Sequence, residues 1–510
     1  MIKNLKWLLL VSLTFVACND DEETAVVSNS SDGLPLTAGT ANFSKYVSLG
    51  NSLTAGFADN ALFIQGQKDS YTNILAEQFK LVGGGEFKIP LMADNVGGLL
   101  LGGTQIQGPR LYFNGTAPTP VTGTPTTSVT NVLTGGFNNM GVPGAKSFHL
   151  LSNTYGNPAG IGTYSNPYFV RFASSTSATI VGDAVTQNPT FFSLWIGNND
   201  VLSYATSGGT GVNQLGNLNP ATYGGNDITD PNVFASVYNT MVTNLTAGGA
   251  KGVVANIPYV TSVPFFTTVP TNPVPLNATT AAQLNVGIIG PVDAILTALG
   301  QPDRLVTLTA SNSNPLLIKD ESLVNFSAQI TGALIANNVP AAQAGLMGNL
   351  YGQARHASNV AGSKDYILLT ARGVIGTTQA GVPGPFNNIG VTYPMADNTT
   401  LTATETAEVK TATDAYNASI QVIATAKGLA FVNANAVLNQ VANGGVSGNG
   451  YNVTSVYVTG GGFSLDGVHP SPRGYALIAN KFIEAINATY GSNLKGVSFA
   501  DSRILYPASL

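Results

Sequence analysis

Two short segments of the chain carry side chains that could act together in nucleophilic catalysis. Asp466-Gly467-Val468-His469 places an aspartate three residues before one of only three histidines, and Gly50-Asn51-Ser52-Leu53 places a serine in a turn after an apolar run. A serine hydroxyl becomes a nucleophile when an imidazole takes its proton, and a carboxylate holds that imidazole in the required tautomer. The residue types therefore predict hydrolysis through Ser52, His469 and Asp466.

Each of these residues also has an ordinary structural explanation. Ser52 could cap a following helix, since serine is a favoured N-cap. Asp466 could form a local side-chain turn, and His469 could be a loop residue. The catalytic interpretation depends on their joint occurrence. The other two histidines, His149 and His356, have no matching carboxylate segment and are interpreted as structural or surface residues.

Short apolar strands alternate with amphipathic helices along the chain. Strands are predicted at 45–49, 137–142, 191–196, 252–260 and 429–432, and helices at 69–79, 233–245, 402–427 and 471–490. This alternation predicts right-handed βαβ units around a parallel sheet that is covered on both faces. Ligand sites in such sheets lie at the carboxyl ends of the strands. The turn at Ser52 and the turn at 197–200 each follow a predicted strand, so we expect both on the same rim.

Four segments in this order resemble the SGNH/GDSL hydrolase family in content and spacing: Gly-Asn-Ser-Leu at 50–53, Asn-Met-Gly-Val-Pro-Gly-Ala at 139–145, Gly-Asn-Asn-Asp at 197–200, and Asp-Gly-Val-His-Pro at 466–470. The resemblance spans about residues 44–490, interrupted by insertions. A lone glycine-serine turn would be weak support, but four segments in order are specific. The resemblance implies an α/β fold, namely a three-layer α/β/α sandwich with a flavodoxin-like parallel five-stranded sheet.

The resemblance also implies a role for each marker residue. Ser52 would be the nucleophile, His469 the general base and then the general acid, and Asp466 the residue that orients His469. Three donors would form the oxyanion hole: the backbone N–H groups of Ser52 and Gly144 and the side-chain amide of Asn199. An amide donates to a developing oxyanion without carrying charge, and losing one such donor costs roughly a hundred- to a thousand-fold in rate.

Two positions within the resemblance need comment. The family usually has aspartate where this chain has Asn51; that residue is outside the triad, so activity is expected to survive. Asparagine keeps the hydrogen-bonding ability and the tolerance of tight turns but lacks the charge. The second segment offers two glycines, of which Gly144 is preferred as the oxyanion donor and Gly141 is the alternative.

The first residues are predicted to be a signal peptide at 1–17. Lys3 and Lys6 precede an apolar run at 7–17 that is too short to span a bilayer. Cys18 is the sole cysteine, and Phe-Val-Ala-Cys at 15–18 resembles a bacterial lipobox, which implies lipidation of Cys18. The acidic run at 19–23 resembles the surface-export signal of Bacteroidetes lipoproteins, with a solvated linker as the alternative.

The remaining organisation follows from composition. Residues 18–43 are expected to be a lipidated cysteine with a polar tether. Residues 44–510 are expected to form one hydrolase domain with insertions at about 80–135 and 261–401. These insertions could build the walls of the site or be surface decoration. Together with the leader, this predicts an exported outer-membrane lipoprotein that is held to the membrane by its lipid.

Composition excludes several classes of function. Charged residues make up 9% of the chain against roughly 25% in typical soluble domains. The net charge is −5, and no basic stripe is present, which argues against nucleic acid as a partner. The spacing of His, Cys, Asp and Glu predicts no metal site, no glycine run matches a phosphate loop, and no cofactor is expected.

The sequence therefore predicts a serine ester hydrolase that acts on an extracellular acyl ester, either a lipid or an O-acetylated glycan. The insertion at 261–401 is expected to decide between these substrates. The alternative is a catalytically silent surface lipoprotein that binds glycan or a partner on a hydrolase scaffold, because fold alone does not imply function.

Overall fold

A computed structural model describes residues 33–510 of the chain. The predicted signal peptide at 1–17, the lipidation site Cys18 and the first part of the tether lie outside the described residues. Those interpretations therefore rest on the sequence.

The centre of the structure is a parallel sheet of five strands. These are β1 (Tyr46–Gly50), β2 (Asn139–Gly141), β3 (Phe191–Trp195), β4 (Lys251–Ala255) and β5 (Ala430–Val432). Their order across the sheet is β5-β4-β3-β1-β2, and every neighbouring pair is parallel. The five predicted strands and their parallel arrangement are thus confirmed.

One strand prediction was too long. The segment predicted at 252–260 is a strand only as far as Ala255. Beyond it the backbone turns to another partner, because the N–H of Ile257 donates to the side chain of Asn417 at 2.7 Å instead of to a strand. The apolar residues after Ala255 therefore leave the sheet.

Helices connect these strands and pack against them. The ones that matter for the site are α1 (Ser52–Ala55), α2 (Tyr71–Lys80), α3 (Asn199–Thr206), α4 (Pro231–Thr246), α5 (Ala403–Ala426), α6 (Ala434–Ala442) and α7 (Pro472–Tyr490). Four of them agree with the predicted helices to within two residues at either end. Shorter helices occur at Ile64–Lys68, Pro167–Val170, Ile180–Val185 and Pro264–Thr267.

The ends of the long helices follow ordinary capping chemistry. In α5, the Thr402 side chain accepts the Glu405 N–H while the Glu405 carboxylate accepts the Thr402 N–H, a capping box. Helix α7 begins with Pro472 after its N-cap Ser471 and ends at Gly491, which has a φ of 67°.

Successive side chains of the strands enter two different hydrophobic clusters, as the two-residue period of a strand requires. Tyr46 and Phe191 pack in a cluster with residues of α2 and α7. Their neighbours Val47 and Phe192 pack in another cluster with residues of α4 and α5. The strands are therefore apolar at nearly every position, as the sequence predicted for a sheet buried on both sides.

The insertion at 80–135 contains two small hairpins, Leu99–Leu101 with Thr104–Gln107 and Leu111–Phe113 with Pro118–Pro120. The side chain of Arg110 holds this insertion against residues 507–508. This buried guanidinium donates to the carbonyls of Pro507 at 2.7 Å and Ala508 at 3.1 Å.

The insertion at 261–401 has its own hydrophobic core. Helical segments Ala278–Ala298, Ser327–Ala336 and Ala341–Tyr351 enclose a separate cluster of buried residues that includes Val292, Ile330 and Met347. The first segment is, by length and composition alone, apolar enough to cross a membrane; 28% of it is buried, and its buried residues pack in this core. Small strand pairs complete the described structure: Leu317–Lys319 with Ala354–His356, Tyr366–Ile367 with Thr400–Leu401, and Val446–Gly448 with Tyr451–Val453.

Candidate active site

Ser52 lies at the start of α1, directly beyond the carboxyl end of β1. The turn leaves no room for a side chain at position 50, because a Cβ on Gly50 would collide with the side chain of Thr54 and the carbonyl of Trp195. The N-cap is Asn51, whose Oδ1 accepts the N–H of Leu53 at 3.0 Å. The alternative that Ser52 caps this helix is therefore wrong, and its hydroxyl is available for other contacts.

Ser52, His469 and Asp466 form one hydrogen-bonded chain. The Oγ of Ser52 lies 2.8 Å from Nε2 of His469, and Nδ1 of His469 lies 2.9 Å from Oδ2 of Asp466. Both contacts are short enough for proton transfer and orientation. With the proton on Nδ1, Nε2 accepts the serine hydroxyl. The ring of Phe57 packs against the imidazole with its centroid 4.6 Å away.

The carboxylate of Asp466 is held in its ionised form. Burial by itself would raise its pKa, but the neighbouring His469 and the hydrogen bonds outweigh burial and lower the pKa to about 2. Oδ1 accepts the N–H groups of Val468 and His469, each at 2.8 Å, and Oδ2 accepts the N–H of Asn60 at 3.0 Å. A fixed negative charge at this place would stabilise an imidazolium on His469 if the ring took up a proton.

A turn at Asp59 and Asn60 supports the loop that carries Asp466, and sequence reasoning missed it. Both residues have positive φ, 51° and 65°. The Asp59 carboxyl accepts the N–H of Leu465 at 2.8 Å, and the Asp59 N–H donates to the hydroxyl of Ser464 at 3.0 Å. Burial raises the pKa of Asp59 to about 7. The Asp-Asn pair was a usable signal, since these residues tolerate the left-handed conformation.

The predicted oxyanion donors differ in whether they already donate a hydrogen bond within the protein. Ser52 is the first residue of α1, so its N–H has no partner within the helix. The N–H of Gly144 makes no hydrogen bond to any part of the chain from 33 onward, and its φ of 81° favours glycine. By contrast, the buried N–H of Gly141 donates to Oδ1 of Asn139 at 2.9 Å. These contacts favour Gly144 over Gly141.

Asn199 is the first residue of α3, beyond the end of β3. One of its amide hydrogens is used, because Nδ2 donates to the carbonyl of Ala145 at 2.9 Å; the other remains for a ligand. Since β1 and β3 are adjacent, with Gly50 opposite Trp195, the two turns lie at the same edge of the sheet as predicted.

A buried aspartate fixes the loop after Gly144. Asp200 accepts both the N–H of Ser147 at 2.8 Å and its hydroxyl at 2.6 Å, so the loop is tied to α3. Burial raises the pKa of Asp200. Lys146 is also buried, with its ammonium donating to the carbonyl of Asp227 at 2.6 Å, and it therefore does not face an incoming substrate.

A pocket opens at the candidate catalytic residues and contains about 850 Å³ of empty space including its mouth. Ser52, His469 and Asn199 are among the residues that line it. Its walls come mainly from α1, α6, α7 and the loop after β4. Of the insertion at 261–401, only Val263 contributes to this lining, so the insertion does not build the pocket as the sequence suggested.

The two other histidines have structural contacts. Nδ1 of His149 accepts the N–H of Lys146 at 3.0 Å, and Nδ1 of His356 accepts the N–H of Val306 at 2.9 Å. Burial lowers the pKa of His149 to about 3 and that of His356 to about 4. Neither lines the pocket at Ser52.

One group of carboxylates was not expected from spacing. Oxygen atoms of Glu321, Asp397 and Glu405 lie within 4.8 Å of one another, outside the lining of the pocket at Ser52. Burial and the charge of Glu321 raise the pKa of Asp397 to about 8. Glu405 is already engaged in the capping box of α5, and exposed acidic groups of this kind are common without a metal.

No family model matches the chain, and no curated protein or solved structure is similar enough to count as a match.

Proposed function

We propose that the protein is a serine ester hydrolase of the SGNH/GDSL type, with the three-layer α/β/α fold of that family. The observation that carries the proposal is the continuous chain from Ser52 Oγ through His469 to Asp466, at 2.8 and 2.9 Å. It stands at the carboxyl edge of a parallel sheet, where ligand sites of such folds lie. The apolar pocket that opens at Ser52 gives the acyl group a place to bind.

The reaction would proceed in two balanced halves. Oγ of Ser52 attacks the ester carbonyl carbon while its proton passes to Nε2 of His469. The bond from the carbonyl carbon to the alcohol oxygen then breaks, and the alcohol leaves with that proton. Water next attacks the acyl-serine and gives a proton to His469, which returns it to Ser52 as the carboxylic acid departs. Asp466 keeps its charge throughout.

The negative charge on the carbonyl oxygen needs donors during both halves. The N–H groups of Ser52 and Gly144 and the second amide hydrogen of Asn199 are proposed for this role, and each is free to donate. No metal or cofactor takes part in these steps.

The proposed location is the outer membrane, with the chain exported by residues 1–17 and tethered through lipid on Cys18. The sequence of the leader supports this proposal.

The test is hydrolysis of p-nitrophenyl butyrate by residues 24–510, beside a Ser52→Ala variant. The wild-type protein should hydrolyse the ester and be labelled at Ser52 by a serine-directed phosphonate. Ser52→Ala should lose about 10⁶-fold in kcat, the scale seen when a catalytic serine is removed. Equal activity of the two proteins would contradict the serine mechanism. Absence of activity and of labelling in both would favour the binding-protein alternative.

A further inference from the structure

The pocket beside Ser52 runs between two helices of the domain. Its walls include Leu53 of α1, Val437, Leu438 and Val441 of α6, and Leu477 and Ile478 of α7. The three α6 residues lie at helical spacing and present one apolar stripe to the pocket. The lining therefore brings Ser52 together with mainly apolar side chains.

The polar side chains in the lining are few, and several already make hydrogen bonds within the protein. No Asp, Glu, Lys or Arg side chain lines the pocket in residues 33–510. The indole N–H of Trp195 donates to the carbonyl of Asn256 at 3.0 Å, so this ring offers the pocket only its apolar surface. The side chain of Asn51 caps α1 through Oδ1 and donates to Asn198 through Nδ2. A ligand deep in the pocket would find few hydrogen-bond partners.

This lining discriminates between the two substrate classes. Sugar hydroxyls buried against such walls would lose their hydrogen bonds to water without replacement, which is unfavourable. Each methylene of an alkyl chain would instead gain from leaving water. We infer that the pocket binds the linear, apolar acyl chain of the substrate, so that the enzyme prefers medium- or long-chain acyl esters to acetyl esters. This inference rests on the proposed function and adds the substrate class to it.

The first experiment is a chain-length series of p-nitrophenyl esters from acetate to dodecanoate. These esters share one leaving group, so differences report on the acyl pocket. The value of kcat/KM should rise by about fourfold for each added methylene until the chain fills the pocket. A profile that is flat or falls from acetate onward would overturn the inference, while the proposed hydrolase function would still stand.

A substitution in the wall tests the location. Val437→Trp places an indole in the pocket and should lower the ratio of octanoate to acetate kcat/KM by at least tenfold. The matched control is Val422→Trp on the neighbouring helix α5, where the side chain is 68% exposed and does not line the pocket; its ratio should match the wild type. If Val437→Trp does not fold, Val441→Phe from the next turn of α6 replaces it. An unchanged ratio in a folded wall variant would contradict the placement.

A binding measurement separates failure of the pocket from failure of the chemistry. Decanoate should bind Ser52→Ala in calorimetry with a negative heat-capacity change, the mark of buried apolar surface, and acetate should not. Decanoate binding by a protein that hydrolyses no ester would support the pocket and sink the proposed function. Absence of decanoate binding would overturn the pocket inference.

Discussion

Asp466 and Asp59 are two carboxyl groups beside one loop, and their surroundings shift their pKa values in opposite directions. Asp466 accepts hydrogen bonds from three backbone N–H groups and faces His469, and these contacts hold its pKa at about 2 despite burial. Asp59 is 1% exposed, and its Oδ2 has no hydrogen-bond partner among residues 33–510. Burial therefore dominates and raises its pKa to about 7. Asp466 therefore stays ionised at pH values where Asp59 carries a proton.

Asp59 should make the stability of the protein depend on pH. Its pKa rises from an ordinary 3.8 to about 7 on folding. A raised carboxyl pKa adds stability below the unfolded value, and this stability is lost as the pH rises through 7. Asp59→Asn has no carboxyl group at this position and therefore lacks this pH dependence. Relative to this variant, the wild type should therefore lose about 3 kcal/mol between pH 5 and pH 8, since about two pKa units lie in that interval.

Urea unfolding at both pH values measures this difference. Asp501→Asn, at an exposed position, is the control and should follow the pH profile of the wild type. If Asp59→Asn also follows that profile, Asp59 does not exchange a proton on folding.

At the scale of elements, Asn51 lies between the end of β1 and the start of α1, the helix that begins at Ser52. Asn51→Ala removes the cap of α1 and the bond to Asn198, and should cost about 1 kcal/mol of stability and lower kcat, because Ser52 then starts an uncapped turn. Asn51→Asp keeps the acceptor and adds a charge that suits a helix N-terminus. It should retain activity within a few-fold of the wild type.

Comparison of kcat and urea midpoints for both Asn51 variants checks this expectation. A large loss of activity in Asn51→Asp would mean that the bond from Asn51 Nδ2 to Asn198, at 3.3 Å, matters more than the cap.

The central elements were predictable because their periodicity reflects their packing. All five strands and helices α2, α4, α5 and α7 were expected, and their bounds agree to within two residues except in β4, which ends five residues earlier than predicted. The helices of the 261–401 insertion were not. Ala278–Ala298 buries Val292 while Val286 is 80% exposed, so apolar residues occur on several sides and no helical stripe stands out. Local pattern alone therefore did not distinguish these helices from an irregular insertion.

The candidate site likewise has a part that the sequence predicted and a part that it did not. Ser52, His469 and Asp466 belong to short motifs, and their types could be read locally. The support from Asn60 to Asp466 joins residues 406 positions apart, which no local pattern contains. The apolar pocket likewise depends on how α6 meets α7, and α6 was not predicted. The residue types of the candidate site were thus readable from the sequence, whereas the positioning contacts and the pocket required the assembled structure.

At the scale of the whole molecule, the large insertion supports the loop that carries Asp466 and His469. The N–H of Phe265 donates to the carbonyl of Gly467 at 2.9 Å, between Asp466 and His469. Gly467 has a φ of 74°, and a Cβ there would crowd Phe265 and Leu369 at 3.0–3.3 Å. Both neighbours belong to the insertion. The insertion therefore holds the backbone of the His469 loop in place, and of its residues only Val263 lines the pocket at Ser52.

A salt bridge within this insertion holds the carboxylate that joins the insertion to α5, and it supplies the last prediction. Asp365 is fully buried; it pairs with Arg355 at 2.6 Å and accepts the first N–H of α5, from Ala403, at 2.9 Å. Asp365→Ala leaves the guanidinium with Asp320 alone and should cost about 3 kcal/mol, the scale for breaking a buried pair. The control is Asp414→Ala, which breaks an exposed pair with Lys410 and should cost at most about 1 kcal/mol.

Because the insertion holds the His469 loop, Asp365→Ala should also lower kcat for every acyl length equally, leaving the chain-length preference unchanged. Urea unfolding and the ester series measure both effects. Equal stability of the two variants would mean that the insertion is attached by its apolar contacts, and a changed chain-length preference would mean that it shapes the pocket after all.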